Sequence, residues 1–406
     1  MPLLNFFRQK PKSWLAEKAP ALRLLKIFFA GIFLVLACLV ASTELLAEKY
    51  NSAVADVKVA TTATPVVAPV TPPVLLDTAA YDKKIMALAN RPAPIVVTPS
   101  TPPTPPKTTG ATTKVTPGPT PPAVPAKVIV PPPQLWPAST VYPNGGAILP
   151  FKRIVAYYGN FYSKGMGALG QYPPAEMLER LQAEAQKWEL ADPTTPVVPA
   201  IDYIAVTAQG TPSIGGKYRL RMPDSQLDLA VALADQIHGI VFLEIQPGTS
   251  TFQTEIPQLE KYLKMPEVHL SLDPEFSMKT GARPGTVIGS IDADDINFAA
   301  NYLASLVKAN NLPPKILVVH RFTEDMVTHY KLIKPLPEVQ IIMDMDGWGS
   351  QAKKIGTYNS VIYREPVQFT GFKLFYKNDL RAPSTGMLTP DAILKLQPQP
   401  IFIQYQ

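Results

Sequence analysis

Between residues 151 and 406, strand-like and helix-like stretches take turns, and this alternation constrains the fold more than any other feature of the chain. Candidate strands at 153–159, 202–209, 239–246, 268–273, 315–320, 339–344, 371–376 and 401–405 are rich in Val, Ile, Phe and Tyr. Helical periodicity fills the gaps. Over 174–188 it sets Leu178, Leu181, Ala185 and Trp188 on one face; Asp224 is placed to cap a helix carrying Leu227, Val231 and Ala234; Asp292 is placed to cap one carrying Ile296, Ala300, Leu303 and Val307. Eight strands joined by helical crossovers in about 250 residues point to an α/β chain folded as a (β/α)8 TIM-type barrel. An open doubly wound sheet is the runner-up, but no glycine-rich phosphate turn follows the first strand.

Upstream the composition changes. Residues 27–42 (IFFAGIFLVLACLVAS) carry no charge and follow Arg8, Lys10, Lys12, Lys18, Arg23 and Lys26. A run this short is marginal against the about 20 residues a bilayer needs, so a cleaved signal, an uncleaved anchor and a lipoprotein signal using Cys38 all stay open. The long basic lead favours the anchor, with residues 1–26 cytoplasmic, 27–43 in the cell membrane and the rest outside. About half of the 46 prolines fall between Thr61 and Pro150. Residues 44–150 therefore read as a Pro/Thr-rich, disordered, extended linker. Within it, residues 75–90 can form a short helix: a docking segment or, as the plainer reading, a transient turn.

Location also explains the net charge of +6: residues 1–26 hold +5, 27–150 hold +3 and 151–406 hold −2. A slightly acidic globular region argues against a nucleic-acid partner. One cysteine and four histidines exclude a disulfide framework and Cys- or His-rich metal modules, and no cofactor is expected.

In a barrel of this kind the chemistry sits at the carboxyl ends of the strands. There the chain places Tyr158 and Asn160, Gln209, Glu244 and Gln246, Asp273 and Glu275, His320, Asp344 and Asp346, Lys373 and Tyr376, and Gln404. Period-two alternation sharpens the point. His269, Ser271 and Asp273 share one face of their strand, as do Gln340, Ile342, Asp344 and Asp346, while the apolar partners face the helices. Glycoside hydrolysis needs one protonated and one ionised carboxyl, and Asp273 or Glu275 facing Glu244 or Asp344 could supply them. Tyr158, Asn160, Gln209, Gln246, His320, Asp346, Lys373 and Tyr376 are then the candidate substrate-binding residues, with Tyr157, Tyr158, Trp348 and Tyr376 as platforms for sugar rings. Alternatively, Asp273, Asp344, Asp346 and His320 could hold a divalent cation. A Schiff-base role for Lys373 lacks the phosphate-binding loop that usually accompanies it. Segments 210–216 (GTPSIGG) and 247–250 (PGTS) read as loops over the barrel mouth.

The stretches YYGNFYSKGMGALGQYPP, PAIDYIAVTAQ, FLEIQPGTS, HLSLDPEFSM, IGSIDADDIN, VVHRFTEDM, MDMDGWGS and KLFYKND resemble a family of bacterial exported proteins with a glycoside-hydrolase-like barrel. The resemblance spans 151–406 and implies a barrel fold and export; it transfers no catalytic residue. Asp273-Pro274-Glu275 also resembles the Asp-x-Glu found at strand ends in several glycosidase families. The functional expectation is a membrane-anchored hydrolase of a cell-wall or surface polysaccharide. A non-catalytic glycan-binding barrel on a long spacer and a metal-assisted hydrolase remain as alternatives.

Overall fold

The computed structural model describes residues 75–90 and 134–406. The basic segment, the apolar run and most of the proline-rich stretch lie outside the described residues. Among the described residues no helix is long and apolar enough to cross a membrane.

Eight parallel strands close into a barrel: β1 (Arg153–Gly159), β2 (Val197–Ala208), β3 (Ile240–Ile245), β4 (Val268–Leu272), β5 (Lys315–Arg321), β6 (Val339–Met345), β7 (Phe369–Leu374) and β8 (Phe402–Tyr405). Each pairs with its neighbours in sequence, and β1 pairs with both β2 and β8, which completes the ring. An antiparallel strand, Arg219–Arg221, lies on the end of β2. The expected closed TIM-like barrel is therefore present, although the β5–β6 connection carries 3-10 turns in place of an α-helix, and the open sheet is excluded by the β1–β8 pairing.

Three full-length helices show why the outer layer forms. Helix α2 (Pro174–Ala191), the first after β1 to exceed a turn, has Pro at its first position and buries Met177, Leu178, Leu181, Ala185 and Trp188. Helix α3 (Asp224–Asp235) starts behind Pro223, so Asp224 is its first residue and not its cap as expected; it brings negative charge to the helix's positive end. Helix α4 (Ala293–Asn310) is capped by Asp292, which forms a reciprocal capping box with Asp295, and it ends on left-handed Asn311. Helix α1 (Thr78–Leu88) belongs to the linker by sequence.

The barrel separates two apolar cores. Outward residues of the strands, such as Val155, Leu243, Leu270, Val319, Ile341 and Met343, pack against the helices. The lower barrel is filled by inward Ile154, Ala156, Val198, Ala200, Phe242, Ile316, Val318, Ile342 and Phe402. Above this plug the inward positions turn polar.

The barrel floor corrects the expected linker boundary. Tyr81 of α1 is 2% exposed and packs with Leu149 and Ile154 under the barrel. Asn90 donates to Leu396 O at 2.8 Å, and Gln399 N donates to Leu88 O at 2.7 Å. Leu149 exchanges two hydrogen bonds with the Gln340 amide. Residues 75–90 and 134–150 are part of the folded unit; α1 is docked because its apolar side closes an otherwise open barrel end.

Candidate active site

Strand register brings the polar residues together. Tyr158 pairs with Asp202, Glu244 with Ser271, His320 with Asp344, and Lys373 with Gln404. All eight are buried. Gly371 opposite Asp344 makes room for that carboxylate: a Cβ there would fall 2.9 Å from Phe402 Cδ1 and closer still to Asp344 Oδ1.

Two layers result. In the lower one, the His320 ring lies between two carboxylates, Nε2 3.0 Å from Glu244 Oε2 and Nδ1 3.0 Å from Asp344 Oδ2. Burial opposes a charge on this ring, but the two carboxylates outweigh burial and hold its pKa well above the ordinary value. The same contact works on Glu244. Burial would raise its carboxyl, whereas His320, Lys373 and the Tyr158 hydroxyl, which donates at 2.7 Å, bring it below its usual value. Asp202 accepts from Gln404 at 2.7 Å and from Ser271 at 3.1 Å. Burial, then the charge of Glu244, pushes its pKa up to about 7.

The upper layer opens on a cavity of about 590 Å³, within the range of small-molecule sites. Asp273, Glu275, Asp346, Lys373, Tyr158 and Gln246 supply its polar wall; Phe276, Phe322, Trp348 and Phe375 supply apolar surface. Gln246 ties the layers together. Its Oε1 accepts from Ala208 N, which turns Nε2 toward Glu244 Oε1, Tyr158 Oη and Asp273 Oδ2 at 3.0, 3.1 and 3.2 Å. Asp273 Oδ1 accepts from Glu275 N at 3.0 Å, so the Asp-Pro-Glu turn sets the separation of its two acids. Lys373 Nζ lies 3.6 Å from the centroid of the Tyr158 ring.

Crowding tunes these acids. Asp273 is raised well above its ordinary pKa by burial and then by Glu244, Asp346 and Glu275. Glu275 is raised to about 7, by burial and then by Asp346. Asp346 is raised by burial, against the pull of His320 and Lys373; its Oδ2 is 3.9 Å from His320 Nδ1. The result is one carboxyl, Glu275, able to hold and release a proton near neutrality, beside two whose pKa values are also raised.

Of the residues singled out from sequence, Asp273, Glu275, Asp346, Lys373, Tyr158 and Gln246 line the cavity. Glu244, Asp344 and His320 sit fully buried, outside its lining. Three others point elsewhere. Asn160 donates to Tyr203 and Ile204 O, Gln209 donates to Thr207 O, and Tyr376 stacks on Tyr405 with its hydroxyl 3.0 Å from that of Tyr157. Tyr157 belongs to the outer core and offers the cavity no platform. Asp202 was missed as a site residue. Pro196 and Pro199 made the start of β2 read as loop, which left this acid at a strand end instead of inside the barrel.

The cation-holding quartet expected from sequence is not the one the barrel assembles. Among the described residues, the group whose ligand atoms converge within 4.8 Å is Asp202, Glu244 and His320, all buried. Two carboxylates and an imidazole would suit a divalent transition metal.

No family model and no curated protein matches the chain. Among solved structures it is similar to a ruminal GH26 endo-beta-1,4-mannanase, at 9% identity and a TM-score of 0.31, over 63% of this chain and 59% of that one. It is similar to the Bacillus subtilis mannanase man26 at 14% identity and 0.32, over 55% and 74%. A GH18 chitinase from Pseudoalteromonas aurantia matches at 10% and 0.31, over 63% and 94%. The chain thus spans less than two thirds of the ruminal mannanase, and these likenesses assign neither a residue nor a reaction.

Proposed function

We propose that the barrel is a glycoside hydrolase that cleaves a polysaccharide through the carboxyls lining its cavity. The observation that carries this reading is the convergence of Asp273, Glu275 and Asp346 with Lys373 and aromatic surface on one cavity at the carboxyl ends of the strands. Glu275 is the general acid: it reaches the cavity, and a pKa of about 7 keeps it half protonated at neutrality while leaving it able to give the proton up. Asp346, from the end of β6 and beside His320, supplies the second carboxyl, which activates water or stabilises positive charge at the sugar carbon. Asp273 stays protonated behind Glu275 and limits the negative charge around it. Glu244, His320 and Asp344 form a charged base under the site that orients Tyr158 and Gln246. In the same proposal, residues 27–43 anchor the chain in the cell membrane with the barrel outside, on cell-wall or surface glycan.

A metal-assisted hydrolase is the second reading, favoured by the convergence of Asp202, Glu244 and His320. The test is release of reducing sugar by the purified full chain from a panel of wall and surface glycans, with and without chelator. Glu275→Gln and Asp346→Asn variants accompany it. Activity that persists in chelator and is lost in both folded variants supports the carboxylate mechanism. Activity abolished by chelator and restored by a divalent cation transfers the mechanism to the buried trio, and glycan retention without release leaves a binding barrel.

A further inference from the structure

We infer that the cavity takes an acidic glycan, whose anionic groups seat against Lys353 and Arg381 beside Trp348. The inference rests on the glycoside hydrolase reading and names its substrate class. Trp348 lines the cavity yet remains 45% exposed. Two cations pack over its ring, with Lys353 Nζ 4.9 Å and Arg381 Cζ 5.5 Å from the centroid; Lys353 also lines the cavity. Among the described residues neither has a carboxylate within 4.0 Å, and the same holds for Lys373 deeper in the cavity. Fully buried cations that serve the fold are paired: Lys354 with Asp379 at 3.0 Å, Arg321 with Glu365 at 2.5 Å, Arg153 with Asp192 at 3.0 Å.

The charges are therefore sorted by height. The acids that would do the chemistry are sunk at the strand ends, and cations without a carboxylate partner stand on the wall and rim. A neutral sugar would pack against the indole and leave these cations without an anion. A sugar bearing carboxylate, sulfate or phosphate would pack beside Trp348 and offer its anion to the ammonium and guanidinium that lie over the ring, forming charge-assisted hydrogen bonds. The rim cations also offset the repulsion such a polymer would meet from Asp346 and from Glu275 when it is ionised.

Binding is measured by affinity electrophoresis of the full chain carrying Glu275→Gln. The probes are polygalacturonate, alginate and hyaluronate, each against its own carboxyl-reduced, neutral form. The expected result is at least tenfold tighter retention on one acidic polymer than on its reduced partner, weakening as NaCl rises. A Lys353→Gln/Arg381→Gln double variant removes that preference and leaves retention on the reduced polymer within twofold. Lys353→Arg keeps the preference, and Trp348→Ala weakens both forms. Equal or better retention of the reduced polymers, no retention of any acidic polymer, or a preference that survives the double variant would overturn the inference. Release of sugar from neutral glycans by the unsubstituted chain, with no acidic preference, removes this inference alone. Absence of release from every polymer, acidic or neutral, removes the hydrolase reading beneath it.

Discussion

Gly371→Ala is the most informative single perturbation, because it tests whether Asp344 is held where the site requires it. The added Cβ would lie 2.9 Å from Phe402 Cδ1 and 3.1 Å from Asp344 Cβ, and closer still to Asp344 Oδ1. Ordinary carbon contacts begin near 3.5 Å, so the ring must retreat by about 0.6 Å and the carboxylate by more. Phe402 packs in the full lower barrel and Asp344 bonds His320, so neither yields freely. Overpacking of this kind costs about 1–3 kcal/mol, and we expect about 2 kcal/mol here. Removing the obstacle should recover part of it. In a double-mutant cycle with Asp344→Ala, urea unfolding should show the pair less destabilised than the sum by at least about 1 kcal/mol. Strict additivity, or a Gly371→Ala protein within about 0.5 kcal/mol of the parent, would refute the reasoning that Gly371 exists to admit the Asp344 carboxylate.

Three further outcomes are expected. Glu275→Gln should lower sugar release by at least about 100-fold, and in the parent enzyme the rate should fall tenfold per pH unit above about 7, since the acid must carry its proton. The same variant should reveal a stability cost of the site. The Glu275 pKa is raised on folding, so the folded state binds more protons and the parent loses stability as pH climbs from about 4 to about 7, by at most about 1.4 kcal/mol per unit. Glu275→Gln should then be progressively favoured over the parent across that window in urea melts, and a flat difference would remove the assigned shift. Tyr81→Ala should destabilise by about 3 kcal/mol, and a chain started at residue 151 should melt well below the full chain, because the buried ring and α1 close the barrel floor.

What could be read from the sequence divides at the ends of the strands. Inside a strand, side chains alternate strictly, so the apolar and polar faces of β4 and β6 were legible, and with them the inward direction of Ser271 and Asp344; the alternation carries one residue further, to Asp273 and Asp346. The same rule separates Tyr157 from Tyr158: adjacent strand residues face opposite ways, so only one of the two tyrosines can reach the cavity. Where the chain turns or the pairing shifts the rule lapses. Gly159, at φ +142°, turns the chain, and Asn160 leaves the barrel interior for Tyr203 and Ile204. Tyr376 lies two residues beyond β7 and joins the outer core. In β2 the pairing with β3 shifts between Ile204 and Val206, so counting along the strand fails to show that Gln209 points away. Docking of α1 was hidden for another reason. A helix of 11 residues inside a proline-rich stretch gives little local signal, and its stability comes from the barrel end it covers.

The layering of the barrel explains how one fold meets two opposed demands. Acids poised near neutrality must be taken out of water and crowded together, and both conditions disfavour folding. The lower barrel supplies apolar burial from Ile154, Phe242, Ile316, Val318 and Phe402, independent of the site above. Between the two, the His320 ring is held by Glu244 and Asp344, so each carboxylate nearest the core has a cationic neighbour within 3.0 Å, and Asp273 and Glu275 at the cavity have none that close. The acids without a close cation are thus confined to the wall where a substrate would enter. Replacing Asp346 by Asn should therefore lower the pKa of Glu275, because Asp346 is, after burial, the largest influence raising it. An unchanged Glu275 titration in that variant, followed by the carboxyl ¹³C shift, would mean that the two acids do not share one site.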